Sequence, residues 1–272
     1  MKQDDEPRMN PLDRTTWIRI GRLVLFVGSA VFMALALHLS MDRPWLSMTL
    51  LLVAVAALVP PFLSRRRFRK LLLSGDAERV VAEWREAAAR GPHRETTDPL
   101  IAATAFAAYG WVQEARAQLE RVRPGPAWEA AAEHRMFVET LLEAFDGDRH
   151  QAMRLAETIA TLPLPPVSPR LRHQVLMLRA SLAALARAFA HLPQSGDLDL
   201  LVRAARSSPL VSWAMRYAAA IVAIDRGETW RVTSLLSGAP AWPQQSAFRQ
   251  FHDELLMQLP LRSESLTSQD PR

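Results

Sequence analysis

The sequence predicts an all-α protein: a two-helix transmembrane hairpin followed by a solenoid of stacked helical hairpins. Three observations carry this prediction. Two uncharged apolar runs, each about one bilayer span long, stand five residues apart near the N-terminus. Beyond them, apolar residues recur at spacings of three and four, as in Val80, Val81, Trp84, Ala87 and Ala88 or Leu176, Leu178, Leu182, Leu185 and Phe189, without a convincing alternating strand pattern. Glycines at intervals of about 35, 37, 49 and 31 residues punctuate this helical pattern.

Residues 1–16 form a polar, acidic N-terminal tail. Trp17 to Leu39 reads WIRIGRLVLFVGSAVFMALALHL and has no charge from Leu23 to Leu37, which at helical rise can cross the hydrocarbon layer; Arg19 and Arg22 would snorkel to its interface. Trp45 to Leu63, WLSMTLLLVAVAALVPPFL, is a second uncharged run, so 17–63 is expected to be an antiparallel transmembrane hairpin. A cleaved signal peptide is the rival reading, because Ala34 and Ala36 form a small-x-small pair, but an acidic tail is unusual in front of one.

Orientation follows from the flanking cations. Arg14, Arg19 and Arg22 precede the first span, Arg65, Arg66, Arg67, Arg69 and Lys70 follow the second, and the connecting loop holds only Arg43. Both termini are expected in the cytoplasm. The net charge of +5 divides into about +1 over residues 1–63, about +5 over 64–70 and about −1 over 71–272. The basicity is therefore one cluster beside the membrane, a topology determinant that could also dock anionic lipid headgroups. A nucleic-acid-binding domain would carry the excess on its folded surface, so no nucleic-acid partner is expected.

The soluble domain, residues 64–259, has a recurring corner. A helical run ends in glycine, and five residues later a small or apolar residue opens the next helical face: Gly75 with Val80, Gly110 with Ala115, Gly147 with Ala152, Gly196 with Leu201, Gly227 with Val232. Glycine supplies the left-handed conformation that closes a helix, and an acidic residue after it, as in Gly75-Asp76 and Gly147-Asp148, suits the start of the next. The second helices end near Pro92, Pro124, Pro163, Pro209 and Pro240. Arg65 to Ser74 supplies the leading helix of the first pair, and a long helix is expected over about Arg170 to His191. The segment LRSESLTSQDPR after Pro260 is polar and aperiodic, and residues 260–272 are expected to be disordered.

These corners resemble tetratricopeptide (TPR) repeats. AAYGWVQEARAQLERVRP, with Gly110, Ala115, Leu119 and Pro124, and AFDGDRHQAMRLAETIATLP, with Gly147, Ala152, Ala156 and Pro163, match the small-residue corner and the helix that follows it. The Trp-x-x-Leu-Gly part of the first-helix signature is absent, so the repeats are degenerate, over roughly residues 66–242. In such repeats the first helices line a concave surface. The resemblance therefore implies a partner groove including Leu100, Thr104, His134, Phe137, Leu141, Tyr217 and Ile221, open to a helix or extended segment.

No chemistry-bearing motif is visible: no His-Glu-x-x-His, no glycine-rich phosphate loop, no Gly-x-Ser-x-Gly and no cysteine. His134 and His150 fall on different expected helices without an acidic partner at ligand spacing. Glu139 and Glu143 share a helix face and read as an exposed acidic strip, and interfacial solvation accounts for His38. No catalysis, metal or cofactor is expected. Near-exclusive use of arginine over lysine with abundant alanine looks like a GC-rich bacterial genome. The expected protein is thus a scaffold or assembly factor of the bacterial inner membrane, binding membrane-associated proteins at the cytoplasmic face. The alternative is an accessory subunit of a transport or secretion complex that packs through its spans, where Gly28, Ala30 and Ala34 could form a close-packing face.

Overall fold

The computed structural model describes residues 64, 66–88 and 94–258. The chain divides into two compact units, Met1–Arg67 and Phe68–Arg272, and the elements described here belong to the second. The N-terminal tail, the two expected spans and the tail 260–272 lie outside the described residues. Among the described residues no helix is long and apolar enough to cross a membrane.

Every described element is helical. After a helical segment over 68–73 come α1 (Ala77–Ala88), α2 (Arg94–Ala108), α3 (Val112–Glu120), the short α4 (Pro126–Ala130), α5 (Ala132–Asp146) and α6 (Arg149–Thr161). They are followed by α7 (Pro169–Phe189), α8 (Asp197–Ser207), α9 (Ser212–Asp225), α10 (Trp230–Leu236) and α11 (Ala247–Met257).

The boundaries follow local chemistry. Asp76 opens α1 by accepting the Arg79 N–H at 3.0 Å, and Asp148 opens α6 by accepting the His150 N–H at 2.8 Å. Helices α3, α6, α8 and α10 stop a few residues before Pro124, Pro163, Pro209 and Pro240, since proline cannot continue the backbone ladder. Gly75, Gly110, Gly196 and Gly227 take the left-handed conformation expected of them.

Gly147 does not. Its φ is −136°, and the corner is held instead by Glu143, whose Oε2 accepts the Asp148 N–H at 2.8 Å. Glu143 also meets Arg116 at 3.4 Å and Glu139 meets Arg135 at 3.7 Å. The expected acidic strip is therefore a set of local ties.

Consecutive helices pack as antiparallel neighbours, α2 on α3, α5 on α6, α8 on α9 and α9 on α10, while α2, α5, α7 and α9 form an inner row. Alanines make that row close. Ala102, Ala103, Ala105, Ala107 and Ala108 on α2, and Ala218, Ala219, Ala220 and Ala223 on α9, are fully buried, and small side chains allow neighbouring backbones to approach. One ion pair, with its carboxylate buried, adds direction. Arg187 near the end of α7 grips Asp197 at the start of α8 through two bonds of 2.6 and 3.0 Å, and Asp197 also accepts the Gln194 N–H.

The two ends of the array meet. The Trp213 indole N–H on α9 donates to the Leu73 carbonyl at 3.0 Å, and the Tyr109 hydroxyl donates to that of Leu72 at 2.8 Å. A Cβ on Gly75 would lie 2.6 Å from Pro240 Cγ, so the first corner touches the segment after α10 directly. That segment then folds back. Ser246 donates to the Tyr109 carbonyl at 2.7 Å and Ala247 N–H to that of Gly110 at 2.8 Å, and α11 sets Phe248, Phe251 and Leu255 against the inner row.

The aromatic centre sits at this junction. Phe248 stacks on Tyr217 at 4.9 Å and meets Phe145 and Trp242 edge-on at 5.2 and 5.0 Å, while Phe189 meets Phe145 at 5.2 Å. The Trp242 N–H donates to the Tyr217 hydroxyl at 2.6 Å, and that hydroxyl meets His252 Nδ1 at 3.1 Å.

Candidate functional site

With α11 occupying one end of the inner face, the other end remains open as a cavity of about 850 Å³. Its wall is built from several helices. Trp84 comes from α1, Ile101 and Thr104 from α2, Ala130 from α4, Glu133, His134 and Phe137 from the first turns of α5, and Leu178 from α7. Ser208, Leu210 and Val211 come from the corner between α8 and α9. A volume of this size, walled mainly by apolar side chains with a few convergent polar groups, lies within the range of pockets that can hold a ligand.

The polar groups are fixed by the backbone behind them. The Thr104 hydroxyl lies 2.6 Å from the Leu100 carbonyl and 2.7 Å from His134 Nε2. A hydroxyl has one proton. Donated to the carbonyl, it leaves Thr104 Oγ1 to accept from His134, which places the imidazole proton on Nε2 and a lone pair on Nδ1. Partial desolvation against the cavity wall holds the His134 pKa below its ordinary value of 6.5, favouring the neutral ring.

Glu133 is anchored from the rear. Its Oε1 accepts from Arg179 Nε at 2.8 Å, while the other guanidinium nitrogens donate to the carbonyls of Leu162 and Pro163 at 2.6 and 3.2 Å. Arg179 is almost completely buried, and each of its nitrogens is engaged. The tie joins α7 to α5 and to the end of α6, fixing the cavity wall.

Thr104, His134 and Phe137, expected in the partner groove, line this cavity together. The remaining groove residues do not join them. Leu100 is buried one turn behind Thr104, and Leu141 and Tyr217 are fully enclosed in the core. Ile221 lines a separate small cleft with Phe189, Phe251 and Leu255. The cause is α11: it covers the end of the inner face that carries Tyr217 and Ile221. Glu133, Trp84, Ile101, Leu178, Leu210 and Val211 escaped the sequence reading of the groove. Trp84 and Leu178 lay in recognised apolar stripes, but a stripe does not say which of its residues faces a cavity.

In the basic cluster, Arg66, Arg67, Arg69 and Lys70 are exposed, and Arg65 lies outside the described residues. Among the described residues no group of three or more His, Asp or Glu side chains is placed to hold a metal ion. His134 Nε2 is committed to Thr104, and His150 stands exposed on α6.

Comparison of the chain with family models, curated proteins and solved structures finds no match in any of the three.

Proposed function

We propose that the chain is a membrane-anchored, TPR-like helical-repeat scaffold whose cavity between the inner helices receives a segment of a protein partner at the cytoplasmic face of a bacterial inner membrane. The observation that carries the reading is the open apolar cavity at one end of the inner face, where a repeat protein of this kind binds. Two features support it. The inner face already accepts a helix at its other end, through Phe248, Phe251 and Leu255 of α11, which is the helix-in-groove mode with anchors at i, i+3 and i+7. The apolar runs and the basic residues 65–70 would confine that surface to the bilayer and raise its effective concentration for membrane partners.

The test is a cross-linking pull-down from native membranes, comparing the full chain with Phe137→Arg. Phe137 lines the cavity without being part of the enclosed core, so the variant should fold, as its thermal midpoint will show. Loss of a partner that the unmodified chain recovers supports the scaffold reading. Recovery unchanged by Phe137→Arg removes the cavity as the contact surface.

A further inference from the structure

The chemistry of the cavity narrows what can enter it, an inference that rests on the scaffold reading and deepens it. No lysine or arginine is among the described residues lining the cavity, and its one charged side chain is Glu133. Glu133 and Arg179 are neutral as a pair, but they are oriented. Arg179 keeps only 5 % of its side chain exposed whereas Glu133 keeps 41 %, so the cation lies behind and the carboxylate in front.

Glu133 Oε1 is bonded to Arg179, and Oε2 remains as an acceptor. His134, one residue further along α5, has its Nε2 proton directed at Thr104 and offers the lone pair of Nδ1. Both groups are acceptors in apolar surroundings. An incoming carboxylate would be desolvated against another carboxylate, whereas an ammonium or guanidinium would find an anion and a lone pair in place of water.

We propose that the cavity takes an apolar segment of a partner protein carrying a lysine or arginine, the cation meeting Glu133 and His134 while its apolar side chains pack on Phe137, Leu178 and Leu210. Charge complementarity selects this occupant. Solvent reaches both Glu133 and His134, so the segment can enter without displacement of the wall.

The test uses the full chain in lipid nanodiscs as bait for a displayed library of random peptides of about 12 residues, roughly three helical turns. Binders are sorted by whether Phe137→Arg abolishes their capture. The expected result is a Phe137-dependent set rich in apolar residues and in lysine or arginine. Exchanging that cation for methionine should weaken binding about tenfold, the scale of one charge-assisted hydrogen bond. Glu133→Gln, which keeps an acceptor for Arg179, should abolish the preference for the cation over methionine.

Phe137-dependent peptides that are acidic or uncharged, or a cation preference untouched by Glu133→Gln, would overturn the inference and leave the scaffold reading standing. A library yielding no Phe137-dependent binder would overturn both. A dimer of the free chain that Phe137→Arg dissociates would assign the cavity to a second copy and also overturn the inference.

Discussion

Ser246 offers the sharpest check on the closed arrangement, because one hydroxyl serves two backbone groups that sequence separates widely. It caps α11 by accepting the Phe248 N–H at 3.2 Å and donates to the Tyr109 carbonyl at 2.7 Å, and it is 3 % exposed. Ser246→Ala removes the cap, worth about 1 kcal/mol, and leaves a buried carbonyl without its donor, worth about 1–3 kcal/mol. The expected loss is about 2–4 kcal/mol, or a fall of roughly 4–16 °C in the thermal midpoint of a domain this size. Ser168→Ala is the matched control: Ser168 stands at the N-cap of α7, is exposed and makes no side-chain cap bond, so its loss should stay within about 0.5 kcal/mol. Both variants are compared with the unmodified full chain by thermal unfolding followed by circular dichroism. Equal midpoints for the two variants would mean that Ser246 does not join the C-terminal segment to the second hairpin.

Three further outcomes follow from the geometry. Gly75→Ala should cost more than Gly196→Ala: each forces a side chain into left-handed backbone, about 1–2 kcal/mol, but only at Gly75 does the new Cβ overlap Pro240. The ranking is read from the two thermal midpoints. Arg187→Met, which strands the buried Asp197 carboxylate, should lower stability by about 3–5 kcal/mol, with Asp197→Asn in the same chain restoring part of it. Because partial desolvation lowers the His134 pKa below 6.5, the unfolded chain takes up a proton first as pH falls. The His134 contribution is therefore complete above 6.5 and declines on acidification below it, and His134→Gln should show a flatter loss between neutral and mildly acidic pH. A ring titrating at or above 6.5 by NMR would contradict this.

The corners show how far local sequence reaches. Gly75, Gly110, Gly196 and Gly227 were legible because closing a helix in left-handed backbone is a demand on one residue, which glycine meets at little cost. Gly147 was misread because Glu143, on the preceding turn, satisfies the corner in another way. Thr104, His134 and Phe137 were placed in the groove through the repeat resemblance. The same reasoning put Leu141 and Tyr217 there, since an inner helix shows the same apolar spacing whether its face borders a cavity or a neighbouring helix.

Local sequence marked four of the glycine corners and the helix ends before the prolines, because the 3.6-residue period, the left-handed glycines and the terminating prolines act within a few residues of one another. Which end of the inner face stays open is set by contacts between distant parts of the chain. Ser246 reaches Tyr109 across 137 residues and Trp213 reaches Leu73 across 140, and no local pattern records such a meeting. An apolar face states that something must cover it; the path of the distant chain decides that α11 covers Tyr217 and leaves Phe137 beside an open cavity.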